Sequence, residues 1–318
     1  MTIEQIRHLV RLREPEIADS MRHAESAAYT LAIQKFHPTG NTANPGEVDI
    51  AIRAFAETVN RLSDTFADAV KRAPVQAHAG GVFCHKRATF SFTDQLAYGS
   101  VGAEIGDLLV VLTYKGSASI WRSAQLIQFK YGGREITPPV ISTPQYTLYN
   151  RWPEFKWLRK NRPDGARHVP GGGPQDLAKY CFLPEINQHF SGALAVVQTS
   201  EMQGAHRALR AEFTAHTQGL TGKSYCVDPG TTGWDQVVLE LIEATHNKAV
   251  TVSTQQIGTA GNPTVPAHAG VLSFRMLRND FSTLTGKILP PRSEDFAADL
   301  DADNGGVNMI FLSISARE

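Results

Sequence analysis

The segment from Asp107 to Lys130 constrains the fold more than any other part of the chain. It opens with an apolar run, Asp-Leu-Leu-Val-Val-Leu, continues through a polar stretch containing glycine at 115–119, and ends in a second strand-like run. Two such runs around a short turn are typical of an antiparallel β-hairpin. The turn lies midway between Asp107 and Lys130, so we expect these two residues to face each other. Gln128 precedes Lys130 by two residues and would project from the same side of its strand, towards Asp107.

Length, composition and charge indicate a soluble protein. The 318 residues are 42% apolar, enough for a sizeable core, and 31 basic residues balance 31 acidic ones. Three widely spaced cysteines without a C-x-x-C pair predict neither a disulfide framework nor a zinc site. No signal peptide or membrane-spanning run is recognisable, so we expect a cytoplasmic protein with no membrane partner.

The order of the predicted elements indicates a mixed α/β fold. Helical spacing runs through residues 2–36 and again through 47–72, before the hairpin. The loop-like composition at 162–174 suggests a boundary near residue 165. We therefore expect a helical N-terminal region and core in residues 1–165 and an accessory α+β region in 166–318, with one continuous domain as the alternative.

The hairpin brings together side chains suited to phosphodiester hydrolysis. That reaction needs an activated water and a counter-charge for the phosphate oxygens, and Mg²⁺ held by carboxylates supplies both. A lysine beside the ion can position the water or stabilise the developing charge. Asp107 and Lys130 are the candidates for these roles.

At these residues the sequence resembles the PD-(D/E)xK nuclease superfamily. There an Asp opens one strand, an acidic residue or Gln stands two residues before a Lys on the next, and an upstream helix supplies a Glu. The match is Asp107 followed by Gln128-Phe129-Lys130, where Gln128 replaces the commoner acid. Glu57 would be the helical carboxylate, with Glu47 a weaker candidate and Glu104 an alternative.

The resemblance implies a restriction-endonuclease-like core sheet flanked by helices and a site that binds Mg²⁺ or Mn²⁺. The metal ligands would be Asp107, the amide oxygen of Gln128, and Glu57 or Glu104. Lys130 would complete the catalytic set. The implied activity is that of a metal-dependent endonuclease, as in many bacterial antiviral defence systems.

Contacts with nucleic acid must depend on local patches because the chain carries no net charge. Six bases lie between Arg151 and Arg167, and among them Arg159, Lys160 and Arg162 are the best candidates for phosphate binding. A solvated charged face is the alternative interpretation of this stretch. A second basic group at Lys86 and Arg87 is a further candidate.

We therefore interpret the chain as a Mg²⁺-dependent nuclease, with DNA favoured over RNA. The alternative is a non-enzymatic nucleic-acid-binding or signal-sensing protein with a degenerate nuclease fold. The sequence is compatible with a homo-oligomer and with an activating small molecule, but identifies neither.

Overall fold

The computed structural model describes a mixed set of helices and strands. The described residues are 1–19, 22, 74–82, 88–131, 143–158, 163–170, 177–183, 195–197, 207–228, 230–246, 251–252, 272–273, 278–287 and 308–317. The helices are α1 (Ile3–Arg11), α2 (Gln95–Tyr98), α3 (Pro144–Arg151), α4 (Leu209–Thr217), α5 (Gly233–His246) and α6 (Arg278–Thr285). The strands are β1 (Val75–Val82), β2 (Thr89–Phe92), β3 (Ala103–Glu104), β4 (Leu108–Lys115), β5 (Ile120–Tyr131), β6 (Phe155–Trp157), β7 (Ala178–Leu183), β8 (Ala195–Val197), β9 (Arg207–Ala208), β10 (Lys223–Ser224), β11 (Thr251–Val252), β12 (Leu272–Ser273) and β13 (Asn308–Ala316). None of the helices in these ranges is both long and apolar enough to cross a bilayer.

The first helix confirms part of the helical pattern predicted for the N-terminal segment. Thr2 caps α1 in a reciprocal arrangement, since its side chain accepts from the Gln5 backbone N–H and its own backbone N–H donates to the Gln5 side chain. Ile6 and Val10, one turn apart, are buried. The helix predicted at 47–72 lies outside the described residues.

The main sheet is mixed and places the hairpin at its centre. Its order is β1-β13-β4-β5-β7-β8-β9, and β10 pairs with β5 beyond the start of β7. β4 and β5 pair antiparallel, whereas β13 runs parallel to β4 and β7 runs parallel to β5. The sheet therefore contains strands from both sides of residue 165. Nearly every residue of β4 is buried, because α1 packs against one face of the strand and α3 and α5 share a core with the other.

The hairpin is confirmed, but its predicted register is wrong by two residues. The turn comprises residues 116–119 and is closed by a hydrogen bond from the Gly116 N–H to the Ser119 carbonyl. Lys115 consequently pairs with Ile120, and Leu108 pairs with Ile127. Asp107 therefore faces Gln128 and not Lys130. The turn is centred one residue earlier than expected, and each such step moves the facing residue by two.

Alternation along the strands divides the hairpin side chains between two faces. The α3 face carries Asp107, Leu109, Val111, Leu126 and Gln128, and its apolar members belong to a core with α3 and α5. The α1 face carries Leu108, Val110, Leu112, Tyr114 and Gln125. There the Arg7 guanidinium of α1 lies 4.0 Å from the Trp121 ring centroid.

A small sheet of β3, β2 and β6 lies next to the start of β4. It is filled by aromatic rings in edge-to-face contacts, among them Phe90 with Phe92 and Phe155 with Trp157. Trp157 and Phe155 are buried, which supports a core role for these rings over base stacking. This sheet positions Glu104 three residues ahead of Asp107.

Candidate functional site

Asp107 is a buried carboxylate at the entrance to β4. Its backbone N–H donates to the Ile127 carbonyl at 3.0 Å, which continues the hairpin ladder by one residue. The residue is 7% exposed, and its Oδ2 accepts hydrogen bonds from the Phe129 backbone N–H at 2.8 Å and from Gln128 Nε2. Burial of a carboxylate is unfavourable unless donors surround it, and here the facing strand supplies them.

Gln128 uses its whole carboxamide in buried hydrogen bonds. The side chain is 2% exposed, and its Nε2 donates to Asp107 and to the Phe129 carbonyl, the latter at 3.2 Å. Its Oε1 accepts from Gln145 Nε2 at 2.6 Å. Asp107 and Gln128 are therefore brought together as the sequence predicts, with the Gln128 oxygen directed away from the carboxylate.

Gln145 connects helix α3 to this pair and was missed by the sequence reasoning. The helix starts at the Thr143 cap with proline in its first turn, which places Gln145 one position further into that turn. Its Nε2 donates to Gln128 and also to the Glu104 backbone carbonyl, at 2.8 Å. Tyr149, one turn later on the same face, donates its hydroxyl to the Ile105 carbonyl at 2.7 Å. A Gln and a Tyr at this spacing behind a Thr-Pro cap form the sequence signal for this contact.

Close packing of α3 against the segment before β4 requires a glycine there. A Cβ on Gly106 would lie 2.9 Å from the Tyr149 hydroxyl oxygen and 3.2 Å from a Leu126 methyl carbon. Burial raises the pKa of Tyr149 well above its ordinary value, so the phenol keeps its proton and acts as a donor. The segment carrying Glu104 and Asp107 is thus fixed to α3 at two points.

Backbone acceptors determine which way both carboxamides point. The carbonyl oxygens of Phe129 and Glu104 can only accept, so they require Nε2 of Gln128 and Nε2 of Gln145, respectively. The resulting chain of donors runs from Gln145 through Gln128 to Asp107. Each of these hydrogen bonds satisfies a buried polar group. Reversing either carboxamide would set donor against donor or acceptor against acceptor.

Of the other predicted site residues, the structure describes Glu104 and the backbone of Lys130. Glu104 is half-buried in β3, where it pairs with Thr89 of β2. The Lys130 backbone lies two residues along β5 from Gln128 and pairs with Phe182 of β7, while its side chain is outside the described part. The remaining predicted residues lie outside the described ranges: Glu47, Glu57, Lys86, Arg87, Arg159, Lys160 and Arg162.

Arg167, the last base of the stretch interpreted as a basic patch, is structural. It is 1% exposed and forms a bidentate pair with Glu240 of α5, using Nε at 2.9 Å and an NH2 nitrogen at 2.8 Å. Its remaining donors reach backbone carbonyls of Pro163, Asp164 and Gly165. The Glu240 side chain is 10% exposed, and it also accepts a hydrogen bond from the Trp157 indole N–H. Arg167 therefore does not contribute to a phosphate-binding surface.

A second buried polar cluster occupies the α1 face of the sheet. Lys179 of β7 and Glu212 of α4 form an ion pair with 2.5 Å between Nζ and Oε1. Burial acts to raise the pKa of Glu212, but the charge of Lys179 and its hydrogen bond to Glu212 lower it overall. One turn along α4, His216 is 2% exposed, with Nε2 at 3.4 Å from the Ser123 hydroxyl. Burial lowers the pKa of His216 to about 4.

Asp107, at the α3 face, and Glu104, three residues before it, are acidic residues of the kind that holds a Mg²⁺ ion. Magnesium is commonly held by one or two carboxylates together with waters and substrate phosphates, and Asp107 and Glu104 provide two carboxylates three residues apart. Within the described ranges, no three His, Cys, Asp or Glu side chains converge in a metal-binding group. The Gln128 amide oxygen does not fit as a ligand beside Asp107 in this arrangement, because it points towards Gln145 while the amide nitrogen faces the carboxylate.

Comparison with known proteins gave no match among protein-family models, curated proteins or solved structures. The functional assignment therefore depends on the residues and on the geometry of this site.

Proposed function

We propose that this chain is a Mg²⁺-dependent nuclease that hydrolyses phosphodiester bonds of nucleic acid, with DNA as the favoured substrate. The observation that carries the proposal is the contact between Asp107, at the start of β4, and Gln128, two residues before Lys130 on β5. The two residues are 21 apart in sequence and meet across the hairpin, and this contact supports the proposed resemblance to PD-(D/E)xK nucleases. Their position at the entrance to a central strand gives the site a rigid support.

In the proposed mechanism, the chain supplies the carboxylates and the positioning groups. Asp107, with Glu104 or Glu57, would hold the ion. Bound Mg²⁺ supplies a Lewis acid and lowers the pKa of a coordinated water. Lys130 would hold the attacking water or balance charge on the phosphate oxygens. Arg159, Lys160 and Arg162 would bind phosphates along the strand.

A cleavage assay with three metal conditions tests the proposal. Purified protein is incubated with plasmid DNA or single-stranded RNA in Mg²⁺, Mn²⁺ or EDTA. We expect cutting only with a metal ion, and its loss in Asp107→Asn and in Lys130→Ala. Asp107→Asn is chosen because the amide keeps an oxygen for the Phe129 N–H, so the hairpin entrance retains an acceptor. The matched control is Asp228→Asn, since Asp228 is exposed and lies beyond β10, away from Asp107.

Two results would count against this nuclease. The first is cutting that survives in EDTA or in Asp107→Asn. Such cutting would not depend on a metal ion held by Asp107. The second is absence of cutting by a folded wild-type protein on both nucleic acids with both metals.

A non-enzymatic nucleic-acid-binding protein is the second candidate, and one specific observation favours it. The Asp107 carboxylate already accepts hydrogen bonds from Gln128 and Phe129, so the buried charge is stabilised without a cation. Such a protein would bind DNA equally in EDTA and in Mg²⁺, with affinity that falls steeply as salt is raised. A signal-sensing protein with this fold would show no nucleic-acid affinity even at low salt.

A further inference from the structure

The orientation of the Gln128 carboxamide indicates how the proposed metal site works. We propose, on the basis of the nuclease function above, that Gln128 is a positioning residue that donates to Asp107 and is not a ligand of the metal ion. Gln145 is the residue that holds Gln128 in this orientation.

All hydrogen-bonding groups of the Gln128 amide are occupied in the present orientation. Its two N–H donors are used by Asp107 Oδ2 and by the Phe129 carbonyl, and its oxygen is used by Gln145. Ligation through Oε1 next to Asp107 would require the carboxamide to turn over. Without an ion between them, the oxygen would then face Asp107 Oδ2 and the Phe129 carbonyl, so three acceptors would meet in a buried place before any cation bound. Buried polar groups left without partners are strongly disfavoured.

Gln145 makes the reversed orientation of the Gln128 amide less favourable still. After the turn, the Gln128 Nε2 would face the Gln145 Nε2, and two donor groups would oppose each other. Gln145 cannot turn over in compensation, because the Glu104 carbonyl needs its N–H. The helix that carries it is fixed in turn by the Tyr149 hydroxyl on Ile105. The hydrogen bonds from Gln145 to the Glu104 carbonyl and to Gln128, and from Gln128 to Asp107, together fix the Gln128 amide. We call this set of hydrogen bonds the lock.

The donor role explains why Gln suits this position. An acid at 128 would place a second carboxylate against buried Asp107 and the Phe129 carbonyl. Gln supplies a donor instead. The Asp107 carboxylate then accepts two hydrogen bonds at Oδ2, from Gln128 and from the Phe129 N–H, and these fix its orientation. Outer partners of this kind orient metal ligands and strengthen metal binding.

The charge-neutral substitution Gln145→Met separates the two roles by the direction of its effect on Mg²⁺ affinity. Methionine has a similar length and cannot donate, so it removes the lock. If Gln128 orients Asp107 as a donor, the Kd for Mg²⁺ should rise at least about 10-fold, the lower end for loss of a residue that orients a metal ligand. If Gln128 were a ligand, the freed amide could turn towards the ion, and affinity would be unchanged or tighter. The matched control is Gln218→Met, because Gln218 is buried just after α4 and its Nε2 has no hydrogen-bond partner among the described residues.

A second measurement reads the amide directly in the full chain. With ¹⁵N-labelled glutamine, the Gln128 side-chain resonance is assigned by its loss in Gln128→Met, and exchange of its N–H protons is followed with and without Mg²⁺. We expect slow exchange in both states of the wild type and faster exchange in Gln145→Met.

The two measurements distinguish failure of this inference from failure of the proposed function. Wild-type Mg²⁺ binding that is unchanged or tightened by Gln145→Met, with faster Gln128 exchange when Mg²⁺ is added, would make Gln128 a ligand and overturn the inference alone. No Mg²⁺ binding by the wild type, with slow Gln128 exchange that Gln145→Met accelerates, would overturn the metal site but support the donor role of Gln128.

Discussion

His216 should make the free energy of unfolding depend on pH in a defined window. Burial, together with the Lys179 charge, lowers the pKa of this imidazole to about 4, against the opposing effect of Glu212. In the unfolded chain the pKa returns to the ordinary value of about 6.5. Between these values the unfolded state binds the proton and the folded state does not, so stability falls as pH drops through the window. The complete effect is about 3 kcal/mol, and the part between pH 7 and pH 5 is about 2 kcal/mol.

Urea unfolding at pH 7 and pH 5 measures this effect when the wild type is compared with His216→Gln. The variant is expected to be less stable at pH 7 but to lose about 2 kcal/mol less than the wild type between the two pH values, because the titrating group is gone. His8→Gln is the control substitution, since it replaces a histidine that is exposed on α1. An equal pH dependence in wild type and His216→Gln would refute the reasoning.

Three further substitutions test buried contacts that the structure shows, each by chemical unfolding. Gly106→Ala should lower the free energy of unfolding by about 1–3 kcal/mol, because its methyl group would press on the Tyr149 hydroxyl; a neutral result would mean that α3 shifts freely. Gly222→Ala should lower the free energy of unfolding by at least about 2 kcal/mol, since φ of Gly222 is +80° and the methyl group would overlap the imidazole of His216. Arg167→Lys should cost about 3 kcal/mol, because lysine cannot reproduce the bidentate pair with Glu240 and the carbonyl contacts together; retention of wild-type stability would contradict that role.

The hairpin could be predicted from the sequence because β4 is an apolar run, β5 has a strand-like pattern, and a polar turn separates them. The meeting of Asp107 with Gln128 follows from that hairpin. The register could not be fixed by the same pattern, since apolar residues fill both faces of β4 and a shift leaves the burial pattern almost unchanged. The turn alone decides it, through the hydrogen bond that closes 116–119.

The parallel neighbours of the hairpin depend on contacts between distant segments. β13 has the apolar composition of a strand, but its place between β1 and β4 is a tertiary property. β7 is short, and its alternating Lys179 and Cys181 obscure the apolar pattern. Lys179 is tolerated in a central strand because Glu212 of α4 neutralises it, a pairing that no local pattern reveals.

Buried charges limit what composition can say about function. Arg167 and Glu240 are 73 residues apart, and each alone resembles a solvated surface residue. Their pairing removes one base from the predicted patch and fixes the backbone at Pro163, immediately after the predicted phosphate-binding residues. A basic stretch can therefore combine structural and functional residues, and only the partners of each side chain separate them.

The same distinction applies to Asp107, whose partners are consistent with either role. A buried carboxylate that is satisfied by protein donors can stabilise a fold, and it can also be a metal ligand held ready by outer partners. The difference lies in how the surrounding groups respond to a cation. If Gln145 and Gln128 keep their orientation when Mg²⁺ binds, the hydrogen-bond chain serves the site. If they turn over, the same chain opposes metal binding, and the protein would favour the metal-free state until a cation or substrate displaces it.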